Sequence, residues 1–106
     1  MPKYLLQVSY TADGVKGLMK DGGSKRRAAA KAAIESLGGA LEAMYYAFGD
    51  TDVVAIVDMP DAIAAASVSM TLAASGAVSA KTTVLLTPQD IDVAVKKTAT
   101  YTPPGR

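Results

Sequence analysis

The sequence predicts an α+β fold, with a four-stranded antiparallel sheet and helices on one face. Segments of strand and helix periodicity follow one another in the order β, α, β, β, α, β. The two middle strands are separated by a short turn, and glycine or proline bounds most elements. This order defines the ferredoxin-like, or split βαβ, arrangement. The 106 residues are expected to form one domain over 1–97 and an irregular tail over 98–106.

Capping and breaking residues define the first strand and the two helices that follow it. Residues 3–10 alternate between two faces, and their aromatic and branched side chains suit a pleated sheet. Thr11 is expected to cap a short helix over 12–20. Ser24 is expected to cap a longer helix over 25–37, which ends at a pair of glycines.

A hairpin is predicted next, from strands over 41–48 and 53–59 joined by a turn that contains Asp50 and Asp52. Two carboxylates so close together could bind a cation or act as acid and base. The turn itself already explains them, so no metal site is expected there. Regular alternation along the first of these strands predicts two faces, one with Leu41, Ala43 and Tyr45 and the other with Met44, Tyr46 and Phe48.

The last predicted elements are a helix, a strand and a short helix. Asp61 is expected to cap a helix over 62–74, which ends shortly before a glycine. A fourth strand follows over 78–86. Thr87 is then expected to cap a short helix over 88–97, because the proline that follows it suits the first helical position.

The apolar character of the hairpin predicts self-association. Two helices cover only one face of a four-stranded sheet, yet both faces of the hairpin are substantially apolar. Such a sheet usually packs against something on its second side. We expect that partner to be a second copy of the chain, so that the protein is a homo-oligomer, a dimer or higher, with the sheets forming a dimeric α/β barrel.

Composition excludes several classes of chemistry. The chain has no His and no Cys, so a Ser-His-Asp triad, a thiolate nucleophile and a zinc cluster cannot form. It has no dinucleotide-binding fingerprint either, and we expect no cofactor and no metal. A net charge of +1 gives no reason to expect nucleic acid. No signal or membrane-spanning segment is recognised, which predicts a cytoplasmic protein that does not bind membranes.

Four residues are candidates for binding a small ligand: Tyr10, Tyr46, Asp52 and Lys81. The tyrosine hydroxyls could orient an apolar or carbonyl-containing molecule, and the aspartate or the lysine could move a proton. The alternative is that the aromatic residues belong to the core and the interface, with the lysine at a solvated edge.

A second candidate site lies at the start of the second helix. Lys25, Arg26 and Arg27 follow Ser24 there, and cations at a helix N-terminus oppose the helix dipole. A bound phosphate or carboxylate would compensate for them. The alternative is an ordinary solvated loop and first turn.

Three blocks of the sequence resemble the GYD domain family: residues 10–18, the segment Leu37-Gly38-Gly39, and residues 48–61. Together they extend over most of residues 3–95. The resemblance implies a ferredoxin-like fold of the dimeric α/β-barrel type, in a family of largely unknown function. Thr51 stands where the family's name motif has tyrosine, so no role of that tyrosine is carried over to this chain.

Besides a regulatory sensor that binds an anion at residues 22–27, two functions remain open at this stage. The first is a small soluble protein that self-associates through its sheet and binds a small ligand. The second is a cofactor-free dimeric-barrel enzyme, of isomerase or monooxygenase type, acting on a small aromatic or carbonyl compound. The absence of histidine counts against the enzyme, because such enzymes often use that residue.

Overall fold

The computed structural model describes all 106 residues and confirms the α+β fold. The predicted elements are all present, and their limits agree within two residues except at the last helix, which is three residues shorter. The elements are β1 (Lys3–Tyr10), α1 (Ala12–Asp21), α2 (Gly23–Ser36), β2 (Ala40–Tyr46), β3 (Val53–Asp58), α3 (Ala62–Ala74), β4 (Val78–Leu85) and α4 (Pro88–Ala94). None of the helices combines the length and the apolar character that crossing a membrane requires.

The four strands form one antiparallel sheet in the order β2-β3-β1-β4. The first strand of the chain lies in its centre, where Leu6 is aligned with Ala55 of β3 on one side and with Thr82 of β4 on the other. A central strand finds partners for its backbone groups on both sides. The sheet is therefore organised around β1, as the ferredoxin-like arrangement requires.

The core lies on one face of this sheet, beneath α2 and α3. Buried and partly exposed residues alternate along β1 and β3, because successive side chains of a strand point to opposite faces. We call the second side, which no helix covers, the open face. The buried apolar residues are Tyr4, Leu6, Val8, Ile34, Val53, Ala55, Val57, Met59, Ala65 and Val68.

A β-bulge changes the faces predicted for β2. Between Leu41 and Ala43 the pairing with β3 shifts by one residue, which makes Glu42 the extra residue of the bulge. Beyond it the alternation is reversed, so Leu41, Met44 and Tyr46 all lie on the helix-covered side, against the core. The prediction that separated Leu41 from Met44 and Tyr46 was wrong, because one inserted residue moves every later side chain to the other face.

The bulge also places Glu42 in an exposed cluster of charges. Lys3 Nζ donates hydrogen bonds to Asp58 Oδ1 at 2.8 Å and to Glu42 Oε2 at 3.1 Å. The bond to Asp58 raises the pKa of Lys3 most, followed by the bond to Glu42. These side chains connect the three strands β1, β2 and β3 at one end of the sheet.

Three of the four predicted helix caps are confirmed, and the fourth was wrong. Side-chain oxygens accept backbone N–H groups at the starts of α1, α3 and α4, namely Thr11 from Gly14, Asp61 from Ala64 and Thr87 from Asp90. Ser24, in contrast, lies inside the first turn of α2, which begins after Gly22 without a side-chain cap. The backbone at Gly22 has φ of +81°, a left-handed conformation that glycine adopts without strain.

The C-terminal segment extends away from the rest of the fold. No residue of α4 is buried, and its Ile91, Val93 and the following Val95 are largely exposed. The radius of gyration is 16.9 Å, against about 13 Å for a compact chain of this length. The residues after α4 form no further helix or strand.

Gly14 allows α1 to pack closely on the connection between α3 and β4. A Cβ atom at this position would collide with the carbonyl oxygen of Ala77 and approach the Tyr10 ring to 2.9 Å. Gly17, in the same helix, has nothing within 4 Å of an added Cβ. The two glycines therefore form a matched pair for substitution.

We predict that Gly14→Ala destabilises the fold by about 2 kcal/mol, since backbone must move to admit the methyl group. Gly17→Ala should instead stabilise it by about 0.5 kcal/mol, because alanine is the better helix former. Thermal unfolding followed by circular dichroism measures both effects. Equal melting temperatures for the two variants would contradict the close packing at Gly14.

Candidate ligand-binding site

A cavity of about 100 Å³ lies between the sheet and the two long helices. It is situated over the central strands β1 and β3, because α2 packs mainly on β2 and α3 mainly on β4. Of the fifteen residues around it, fourteen are hydrophobic and one is charged. The lining residues are Leu6, Val8, Tyr10, Arg26, Ala30, Ala33, Ile34, Leu41, Met44, Val53, Ala55, Val57, Val68, Leu72 and Val78.

Small side chains on the helices account for this space. Helix α2 contributes Ala30 and Ala33 to the lining, and the buried part of α3 contains Ala65 beside Val68. A helix that packs on a sheet needs side chains larger than alanine to fill the space between them at the density of a protein interior. The alanine-rich composition of both helices thus leaves the cavity open above the centre of the sheet.

Polar side chains gather where β1 and β2 end and β3 begins. The Tyr46 hydroxyl donates a hydrogen bond to the carbonyl oxygen of Gly23 at 3.2 Å, which fixes the start of α2 against β2. Asp52 Oδ2 accepts the backbone N–H of Tyr10 at 2.8 Å. Three of the four predicted ligand-binding residues, Tyr10, Tyr46 and Asp52, are therefore brought together at this end of the sheet.

The phenol of Tyr10 has a strongly raised pKa. Burial raises its pKa to about 12, and the neighbouring Tyr46 hydroxyl acts in the same direction. The nearby charge of Arg26 lowers it and that of Asp52 raises it, but both effects are smaller than burial. The phenol is consequently neutral at physiological pH, where it is suited to hydrogen bonding and not to removing a proton.

Lys81, the fourth predicted residue, lies on the other side of the sheet. It is aligned with Gln7 of β1, whose neighbours Leu6 and Val8 point into the core. Gln7 and Lys81 thus belong to the open face, and the backbone of the sheet separates Lys81 from Tyr10. The structure does not bring this lysine together with the tyrosines.

An internal carboxylate already faces the cations of α2. Asp21 Oδ1 lies 3.7 Å from Lys25 Nζ, and Asp21 Oδ2 lies 3.6 Å from Arg26 Nη1. Arg27 and Ser24 are exposed, and the ion pairs of Asp21 are with Lys25 and Arg26 and not with Arg27. Asp21, the last residue of α1, thus supplies part of the charge compensation that the sequence suggested a bound anion would provide. Of the four predicted anion-binding residues, Arg26 alone also lines the cavity.

Most residues around the cavity were not predicted from the sequence. The available signal was the pair of alanines in the apolar stripe of α2 that also contains the buried Ile34, since alanine leaves volume unfilled beside a sheet. Arg26 was assigned only to the anion cluster, although it is one helical turn before Ala30 and so shares its face. The combination of a cation and small apolar residues on one face is what defines the site.

Fold and site together describe a small α+β domain whose sheet carries an apolar cavity on one side and an open face on the other. The model of the GYD domain matches residues 4–95, and the chain belongs to this family, whose members are small proteins of unknown function. No curated protein and no solved structure is significantly similar to it.

The shifted pKa of Tyr10 predicts how stability depends on pH. In the unfolded chain a tyrosine loses its proton near pH 10, whereas Tyr10 in the folded protein does so at about pH 12. Between these values the folded state binds more protons, so stability falls as pH rises. The raised pKa of Lys3 acts in the same direction.

We therefore expect the melting temperature to fall from pH 10 to pH 12, and Tyr10→Phe to make that fall shallower. Tyr101→Phe, at a residue that is 73% exposed in the tail, is the control and should keep the wild-type slope. Differential scanning fluorimetry at fixed ionic strength measures all three proteins. If the melting temperature fell equally steeply with pH in wild type and in Tyr10→Phe, the raised pKa of Tyr10 would be disproved.

Proposed function

We propose that this protein binds a small apolar molecule in the cavity between the sheet and helices α2 and α3. The observation that supports the proposal is the apolar lining around about 100 Å³ of space, with a single charged residue. An engineered cavity of about 150 Å³ holds benzene. The space here suits a group of about four or five carbon atoms, such as a branched alkyl chain.

The arrangement of polar groups supports binding more than catalysis. Tyr10 is held neutral, the Asp52 carboxylate accepts a backbone N–H, and Lys81 belongs to the opposite face. The proton-moving residues suggested for an isomerase or monooxygenase therefore do not face one space. Within one chain, no observation favours the enzyme over the binding protein.

We also propose that two copies associate through the open face. Its centre is apolar, with Leu5, Val54 and Ile56 from the two central strands and Tyr45, which is 71% exposed, from β2. The charges of this face lie toward its periphery, at Lys3 with its carboxylate partners and at Lys81. An apolar centre with a charged rim is typical of interfaces between subunits. Self-association would bury this face and leave the cavity on the outer side of each sheet.

The binding proposal predicts that filling the cavity abolishes ligand uptake. In wild type, we expect the neutral probe 3-methylbutan-1-ol to bind with a Kd on the order of 1 mM, as a fragment of six heavy atoms can. Ala30→Leu places three more carbon atoms in the cavity and should abolish binding. Chemical-shift titration of the ¹⁵N-labelled protein measures the affinity.

Ala29→Leu is the matched control, because Ala29 is the preceding residue of the same helix, is exposed and does not line the cavity. It should bind the probe as the wild type does. Absence of binding to wild type, or undiminished binding to a folded Ala30→Leu variant, would refute the proposed ligand site.

The assembly proposal predicts that a charge at the centre of the open face produces monomers. Ile56→Lys should shift the mass measured by light scattering from that of two or more chains to that of one, since an unpaired ammonium would be buried at the interface. The variant should remain folded, because this face is not part of the core.

Ile63→Lys is the control for the same change of residue, because Ile63 is 81% exposed on α3. Its mass should equal that of the wild type. A monomeric wild-type protein at tens of micromolar, or an Ile56→Lys variant with wild-type mass, would exclude association through the open face.

A further inference from the structure

The charged residue in the cavity lining indicates the chemical class of the ligand. Arg26 is the only charged group among the fifteen lining residues, and its side chain is 43% exposed. The guanidinium thus stands where the apolar space meets solvent. A ligand that fills the cavity would leave its outer end beside this cation.

The guanidinium of Arg26 has donors available for such a ligand. Its ionic contact within the protein is with Asp21 Oδ2, at 3.6 Å, which is longer than the 2.7–2.9 Å of a direct charge-assisted hydrogen bond. Asp21 also lies 3.7 Å from Lys25 Nζ. If Arg26 turns toward a ligand, Asp21 therefore still has Lys25 as an ionic partner.

We infer that the ligand is a small monocarboxylic acid whose apolar tail enters the cavity and whose carboxylate pairs with Arg26. This inference rests on the proposed function and specifies its substrate class. A guanidinium matches a carboxylate with two parallel N–H···O bonds. Tyr10 also lines the cavity, from the sheet side, and its phenol is near enough to Arg26 to sense that charge.

A carboxylate suits this site better than inorganic phosphate does. Phosphate has no apolar part to occupy the space beneath Arg26, and its higher charge would be repelled by Asp21 and Asp52 at the same end of the fold. A monocarboxylate carries a single negative charge, which matches the single positive charge of Arg26 in the lining. The space of about 100 Å³ limits its tail to about four or five carbons.

The test compares an acid with a neutral molecule of the same shape. The ¹⁵N-labelled protein is titrated at neutral pH and constant ionic strength with 3-methylbutanoate, and separately with 3-methylbutanamide and 3-methylbutan-1-ol. We expect wild type to bind the acid at least about tenfold more tightly than the amide, as expected for a hydrogen-bonded ion pair. Inorganic phosphate in the same buffer should not displace it.

Two variants assign the preference to Arg26. Arg26→Gln keeps a polar side chain but removes the charge, and it should remove the advantage of the acid while binding of 3-methylbutan-1-ol stays unchanged. Arg27→Gln removes the adjacent, exposed cation, which does not line the cavity, and should retain the wild-type preference. Both positions are exposed, so the variants are expected to fold.

The outcomes separate this inference from the function on which it rests. Equal affinity for acid and amide, or a preference that survives in Arg26→Gln, would overturn the carboxylate assignment while the cavity remains a binding site. Failure of all three molecules to bind wild type would overturn the proposed function as well. Loss of the preference in Arg26→Gln but not in Arg27→Gln supports the assignment.

Discussion

The antiparallel pairing of β1 with both of its neighbours is the interaction on which the rest of the structure depends. This pairing joins the two halves of the chain, because β1 belongs to the first βαβ unit whereas β3 and β4 both belong to the second. It also fixes which residues of β1 face the helices. Because Tyr4, Leu6 and Val8 are buried in the core, the helices α2 and α3 pack on that face of the sheet. The space between the two helices on that face forms the cavity. The other face of the sheet has no helix over it and is the open face.

Much of this fold could be predicted because local signals agreed with the final structure. Alternation in β1 identified its buried face, and Thr11, Asp61 and Thr87 each accept the backbone N–H that a cap should. The bulge at Glu42 could not be predicted. Where both faces of a strand are apolar, shifting the register by one residue leaves the pattern of hydrophobicity almost unchanged. The error at Ser24 has a similar origin, since glycine and serine are both acceptable caps.

The candidate site was harder to predict than the fold, because it depends on what is missing from the core. Tyr10, Tyr46 and Asp52 were singled out for their chemistry, and they do lie at one end of the sheet. The cavity itself depends on Ala30 and Ala33, which a helical pattern identifies only as apolar. Pattern analysis distinguishes apolar from polar positions, but the volume that a set of side chains leaves unfilled depends on the distance between elements.

The unfilled volume has a consequence for how the protein responds to pressure. Unfolding eliminates internal voids, so a protein that contains one occupies less volume unfolded than folded, by up to some tens of mL/mol. The space of about 100 Å³ beneath Arg26 therefore makes compression act against the native state. Any molecule that occupies the space removes this volume difference, and the occupied protein withstands compression that the empty protein does not.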